Sequence, residues 1–449
     1  MLNFQRKHEK SLPDVNKSVQ ALSFWKFLGP GFLVSVGYMD PGNWATDLAG
    51  GSKLGYQLLW VILASNLIAI FLQTLCARLG VAGQIDLAQA SRGQFTKPVA
   101  SLLWILAEVA IIATDVAEVI GSAVALHLLF GIPKVAGVLI TGLDVLAILA
   151  LMKFGFRKLE AIIVTLVATI AICFMINIIW AQPDWQAVAG GLIPRSQPKG
   201  EALAIAVGIL GATVMPHNLY LHSAIVQTRK FEDTKLAVRS ATIDSAIALG
   251  MAFFVNASIL VLAAAVFHKN NIPVDTLEKA HELLKPMLGG AAATLFAVAL
   301  LASGQSSTIT GTLAGQVVME GFMQWKVTPW LRRALTRGLA LIPAVILVSA
   351  TSGRDVDGLI LSQIVLSLQL PFAVFPLVLV TANKEIMGPF VSPKWITVIG
   401  LAIGTVISLL NIQLLVEQLG LLPVSLLAIG IITFLFIFRH DSANRVNHD

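Results

Sequence analysis

VGYMDPGNWATD, residues 36–47, lies inside an apolar run, yet it sets Asp40, Pro41, Gly42 and Asn43 where a membrane helix would be continuous. A proline lacks an N–H and clashes with the carbonyl four residues back, so Pro41 breaks the helix and frees the carbonyl of Gly37. Non-helical backbone at membrane depth survives only where protein buries it or where it lines a polar cavity. A second stretch, TVMPHNLY at 213–220, repeats the device, and Pro216 frees the carbonyl of Ala212. Aligning Pro41 with Pro216 also aligns Asn43 with Asn218, Asp40 with Met215 and Gly42 with His217. The two prolines are separated by five spans, an odd number, so the broken helices run in opposite directions. That is the mark of an inverted repeat, whose binding site lies near the midplane between the paired breaks.

The rest of the chain supports a membrane setting. Of its 449 residues 56% are hydrophobic and 12% charged, about half the charged share of a soluble domain. Hydropathy marks roughly twelve spans, near 27–50, 56–80, 100–130, 133–152, 159–181, 201–228, 241–267, 288–323, 329–350, 357–382, 394–415 and 421–438, each long enough to cross a bilayer. With the N-terminus inside, 23 of the 31 Lys and Arg fall on the inner side and 8 on the outer, which predicts cytoplasmic N- and C-termini. The net charge of +6 is therefore topogenic, and no nucleic-acid partner is expected. Cys76 and Cys173 lie in apolar runs and form no disulfide or metal framework. The polar first 20 residues predict no secretory signal. The expected organisation is a cytoplasmic tail (1–26), a first repeat (27–182), an extracellular loop (183–200), a second repeat (201–383), two C-terminal spans (384–438) and a tail (439–449).

The breaks bring together one carboxylate, Asp40, one amide, Asn43, two backbone oxygens, at Gly37 and Ala212, and one thioether, Met215. Oxygens suit hard to borderline divalent cations, and the sulfur favours transition metals over magnesium and calcium. In span 3, LAEVAIIATDVAEVIG places Glu108, Asp115 and Glu118 on one helix face. Three acids on one stripe of a membrane helix mark a proton path or a structural ion network. His217, inside the second break, reads as a proton relay or gate, and His222 as a further polar residue of that helix. Asp47 and Asn218 read as gate or helix-end hydrogen bonders. The small polar run ASGQSSTITGTLAGQ (302–316) reads as close helix packing.

DPGN in span 1 and MPHN in span 6 resemble the paired signatures of the Nramp family of proton-coupled transition-metal importers, over nearly the whole chain. The resemblance implies an all-α, LeuT-like five-plus-five inverted repeat with two further C-terminal helices, importing manganese or iron(II), and cadmium-like ions, with protons. It assigns the metal ligands to Asp40, Asn43, Met215 and the carbonyls of Gly37 and Ala212, with Gln363 completing the shell on occlusion. Many members carry alanine where Gly37 stands, but only the backbone is used there. Members without the methionine carry magnesium-like or aluminium-like ions, a branch that Met215 argues against. It assigns Asp115 and Glu118 to the proton route and pairs it with arginines of the ninth span, where WLRRALTRG offers Arg332 and Arg333. Asp40, Glu108 and His217 are the further residues expected on that path. A plasma-membrane location follows, with no bound cofactor, and no oligomer is implied. Two other readings are a sodium-coupled symporter of an organic solute and a membrane-embedded metal-dependent enzyme. Asp40 and Met215 speak against the first. The second lacks an H-E-x-x-H or similar zinc-hydrolase spacing, and no G-x-x-x-x-G-K-[ST] loop for ATP is present.

Overall fold

The computed structural model describes residues 29–142, 156–229, 233–325, 327–350 and 355–437. All regular structure among them is helical. The first expected span is two pieces: α1 (Pro30–Ser35) and α2 (Pro41–Leu54), joined by a 3₁₀ turn at Gly37–Met39. Then follow α3 (Leu59–Arg78), the short α4 (Leu87–Gln94), α5 (Lys97–Phe130), α6 (Lys134–Gly142), α7 (Phe156–Ala181) and α8 (Trp185–Gly191). The second broken helix is α9 (Glu201–Val214) with α10 (Pro216–Ile225). After it come α11 (Thr234–Val266), α12 (Leu277–Leu288), α13 (Gly290–Met323), α14 (Pro329–Ala350), α15 (Asp355–Thr381), α16 (Lys384–Met387), α17 (Lys394–Leu419) and α18 (Leu421–Ile437). Eight of the described helices are long and apolar enough to cross a membrane. The expected span at 133–152 is described only to Gly142, and its remainder lies outside the described residues.

Local chemistry explains the starts of these helices. Asp40 has extended backbone and caps α2, its Oδ1 accepting from the N–H of Asn43 at 2.9 Å, while Pro41 takes the first helical position, where no N–H is needed. Asp86 and Gln89 form a reciprocal capping box at α4. The outer helices keep apolar side chains on the lipid side: Phe254, Ile342, Val398 and Leu421 are all exposed.

Two groups of helices meet around the breaks. The broken pair α1/α2 packs on α11, and α3 packs on α11 and α9, which makes one bundle. A second group is built on α5, which contacts α6, α13 and α14. Helix α15 lies between the groups, against both α9 and α5. Trp44 of α2 locks the first break to the surrounding frame. Its ring sits edge-on to Phe174 of α7 and Phe296 of α13, with centroids 4.8 and 5.2 Å away, and its Nε1 donates to the carbonyl of Met39 at 3.2 Å. The opening turn of α1 is held from the other side. The N–H of Gly31 donates to Asp244 Oδ2 of α11 at 2.7 Å, and that of Gly29 lies 3.3 Å from both carboxylate oxygens. A Cβ at Gly31 would stand 2.8 Å from the Ser245 nitrogen, so only glycine lets α1 come this close.

Candidate metal centre

The second break is strained where the first is relaxed. Met215 joins α9 to α10 with φ +38°, a left-handed conformation that a side chain with a Cβ rarely adopts. The strain turns the chain between two helix ends and leaves the carbonyl of Ala212 facing the first break. Asn43 spans the two: its Nδ2 donates to Asp40 Oδ1 at 2.7 Å and to the Ala212 oxygen at 3.0 Å. Asp40 is fully buried, and its Oδ2 has no partner among the described residues. Met215 Sδ accepts from Asn218 Nδ2 at 3.4 Å and stands 3.2 Å from where a Cβ of Gly37 would lie. Asp40, Asn43, Ala212, Met215 and Gly37 are therefore brought into one buried cluster.

Two details depart from the sequence reading. The Gly37 carbonyl is not bare, because the Asp40 N–H closes the 3₁₀ turn onto it at 3.3 Å. One lone pair remains for any further ligand. The Asn43 amide also faces the opposite way from a metal ligand. Its NH₂ points at Asp40 and Ala212, and its Oδ1 accepts from Asn256 Nδ2 at 3.3 Å. In this orientation the NH₂ group serves both oxygens, Asp40 Oδ1 and the Ala212 carbonyl, as a hydrogen-bond donor. Turning the amide over would present Asn43 Oδ1, Asp40 and Ala212 O to a single ion. Among the described residues no three His, Cys, Asp or Glu side chains gather at one point, so a site here is built from mixed donors.

Gln363 of α15 lies against the same turn, its Nε2 only 1.8 Å from where a Cβ of Gly42 would be. The amide donates to Ser362 Oγ at 2.9 Å, its Oε1 has no partner among the described residues, and it bonds none of the other candidate ligands. Asn256 of α11 was not singled out in the sequence. It donates to the carbonyl of Tyr38 at 2.8 Å as well as to Asn43, bracing the unwound turn from behind. Its only signal is a lone amide in the apolar run FFVNASIL. Asp47, read as a gate or helix-end hydrogen bonder, is buried within α2, and its Oδ2 has no hydrogen-bond partner among the described residues.

On the far side of the breaks a polar chain joins four elements. Gln73 Nε2 of α3 donates to the Tyr38 hydroxyl at 2.6 Å, and Gln73 Oε1 meets His222 Nδ1 of α10 at 2.7 Å. His222 Nε2 lies 3.4 Å from Ser245 Oγ of α11. Asn218 also reaches the carbonyl of Val34 at 3.5 Å. His217 is buried, and neither ring nitrogen has a hydrogen-bond partner among the described residues.

The acidic stripe of α5 faces a basic stripe of α14. Arg332 Nη2 holds Glu108 at 2.8 and 2.9 Å, and Arg333 Nη1 holds Asp115 at 2.7 Å. Arg337 completes the ladder, 3.4 Å from Glu118 and 3.8 Å from Asp115. Sequence reading named Arg332 and Arg333 and missed Arg337, although it stands one helical turn beyond Arg333 in WLRRALTRG. Asp115, Glu118, Arg333 and Arg337 are all 1% exposed or less. The run 302–316 packs closely, as its small residues predict, and it also makes room for charge. Gly315 leaves space for the Arg332 guanidinium, and the Ser303 hydroxyl donates to the carbonyl of Met39.

Two broken helices that meet at one buried carboxylate are the arrangement of a secondary transporter of the inverted-repeat class. The family model described as Natural resistance-associated macrophage protein-like, Nramp, matches residues 31–417. The chain belongs to the Nramp family. It is 55% identical over 399 residues to the divalent metal cation transporter MntH of Xylella fastidiosa, covering 87% of this chain and 84% of that one. It is 53% identical over 425 residues to MntH of Nostoc, covering 91% and 96%. Its structure matches that of the Eremococcus coleocola manganese transporter with a TM-score of 0.83 at 40% identity, over 95% of each chain. The nucleobase-cation symporter Mhp1 shares the LeuT-like fold at a TM-score of 0.58 and 16% identity.

Proposed function

We propose that this protein imports divalent transition-metal ions, manganese or iron(II), together with protons. The ion passes by alternating access through the cluster of Asp40, Asn43, Met215 and the carbonyls of Gly37 and Ala212. The observation that carries this reading is the gathering of the buried Asp40 carboxylate, Asn43, the Ala212 carbonyl and Met215 Sδ where the two broken helices meet. Oxygen donors with a single negative charge, beside a thioether, have the chemistry of a soft to borderline cation site. The relatives are named as divalent metal cation and manganese transporters, which supports the same cargo here.

Asp40 supplies the only negative charge of the set and Met215 the preference for transition metals. Gln363, with its unpartnered oxygen beside Gly42, would close the shell when the gates shut. Protons displaced at Asp40 would leave by His217 and the ladder of Asp115, Glu118 and Glu108 with Arg332 and Arg333, to which Arg337 is added. The protein sits in the plasma membrane with both termini cytoplasmic and carries out no chemical turnover. The test is manganese uptake into proteoliposomes with internal pH followed at the same time. Wild type should show metal entry with acidification, and Asp40→Ala should abolish metal entry. Wild-type uptake by Asp40→Ala, or no uptake by the wild type, overturns the reading.

A further inference from the structure

Where the end of α4 meets the start of α5, a half-open cavity of about 870 Å³ lies against the end of α13. The charge bias places this side in the cytoplasm. The volume falls within the roughly 300–1,000 Å³ of small-ligand sites, and neither the metal centre nor the ion ladder uses it. Arg92 and Lys97 line one end, both exposed and in no ion pair among the described residues. Thr96 lies with them, its Oγ1 buried and without a hydrogen-bond partner among the described residues. The other end carries Glu320 of α13, which accepts from Gln316 Nε2. Asp86 stands beside it, its Oδ1 3.0 Å from where a Cβ of Gly321 would be. The cavity is therefore positive at one end and negative at the other. Its rim has the marks of a membrane surface. One turn along α5 from Ser101, Trp104 meets Trp325 edge-on, with ring centroids 5.7 Å apart. Tryptophans favour the headgroup level. Beyond them Ile105 and Val109 of α5 are exposed and give an acyl chain an apolar track.

We propose that this cavity holds the headgroup of a phosphoethanolamine phospholipid from the cytoplasmic leaflet. The phosphate sits between Arg92 and Lys97, where the guanidinium offers forked N–H donors and the Thr96 hydroxyl one more. The primary amine lies at the negative end and donates to Glu320. A free phosphate satisfies the positive end alone, and a trimethylammonium headgroup has no N–H for Glu320. Helix α4 carries the occupancy inward. The N–H of Leu87 donates to Ser223 Oγ of α10 at 2.9 Å, and α10 begins at Pro216, directly after Met215. A lipid that braces α4 against α13 thus braces the cytoplasmic half of the second break. The effect on transport rests on the import reading above, and the binding does not.

The experiment uses the delipidated full chain in detergent, with bound lipid counted by native mass spectrometry. The probe is dioleoyl phosphatidylethanolamine, compared with dioleoyl phosphatidylcholine and inorganic phosphate. Wild type should hold one phosphatidylethanolamine at least fivefold more tightly than phosphatidylcholine. Arg92→Gln with Lys97→Gln should weaken it at least fivefold while melting stays near wild type, since both side chains are exposed. Glu320→Gln should erase the preference between the two lipids. Ser101→Trp, which fills the cavity and keeps every charge, should also lose the lipid. In proteoliposomes, phosphatidylethanolamine added to phosphatidylcholine should raise manganese uptake at least twofold in wild type and leave the Arg92→Gln, Lys97→Gln variant unchanged. Equal retention by wild type and that double variant, or equal retention of both lipids by wild type, overturns the site. Displacement of the lipid by millimolar phosphate makes the ligand a soluble phosphate and overturns it too. Equal stimulation of the double variant overturns the coupling through α4. Counting bound lipid needs no transport, so it decides the site even in a protein that imports no manganese.

Discussion

At Met215 one side chain carries two burdens, the turn between α9 and α10 and the sulfur donor. A thioether contributes to a soft ion and almost nothing to calcium or magnesium. Met215→Ala should therefore lose discrimination more than transport. In proteoliposomes, manganese uptake by the variant should be inhibited by a calcium excess that wild type ignores. Equal resistance to calcium would move selectivity elsewhere, with His217 the next candidate. Asn43→Ala should weaken binding less than Asp40→Ala, because it removes a neutral ligand and leaves the charge in place. Outside the spans, Asp86 gives a pH signature. Burial, aided by the nearby Glu320 and opposed by backbone N–H donors, pushes its carboxyl from 3.8 up to about 6. The folded state holds the proton more tightly than the unfolded one. The stability this provides is full below 3.8 and is lost as pH rises through about 6. Melting of wild type should therefore fall between pH 5 and 7 relative to Asp86→Asn, and parallel curves would refute the assignment.

Among the elements, the ladder between α5 and α14 and the anchor of α1 make separate predictions. Removing one member of a buried ion pair strands the other, at a cost of about 3–5 kcal/mol. Arg337→Ala should thus destabilise strongly, and Arg337→Met with Glu118→Gln should recover much of the loss in thermal melting. Glu118→Gln or Asp115→Asn alone should reduce proton flux while manganese binding stays near wild type. Normal acidification by both variants would make the ladder structural. At α1, Asp244→Ala removes the acceptor for the first N–H groups. A cysteine introduced at Ser35, a position 1% exposed, should then react several-fold faster with a thiol reagent than in an otherwise unchanged chain. The elements differ in how openly the sequence declares them. Pro41 and Pro216 act on backbone that is local to them, so both breaks were legible. Glu108, Asp115 and Glu118 repeat at helical spacing, so their stripe was legible too. Arg337, Asn256 and Asp244 act only through partners on other helices, and no local pattern names those partners.

For the whole molecule, the excess of Lys and Arg on one side of the spans sets the orientation expected in the membrane. A cysteine at Lys7 should be labelled only from the cytoplasmic face of oriented vesicles, and labelling from outside would invert the proposed topology. The fold was readable at this scale because twelve apolar stretches and two matched breaks admit few arrangements. What stayed hidden was the way the two groups of helices share α15 and clamp the breaks between them, since that depends on packing across the entire chain.

The clamp around Trp44 has an optical consequence. Its indole lies between Phe174 and Phe296 and donates to the Met39 carbonyl, one residue before Asp40. Any loading of the cluster that shifts the unwound turn must lengthen, shorten or reorient that hydrogen bond, and indole emission responds to all three. Trp44 is thus a native fluorophore wired to the metal loop. Subtracting the spectrum of Trp44→Phe from that of the wild type isolates it from the other tryptophans, and the difference spectrum becomes a titration curve for manganese that needs no label.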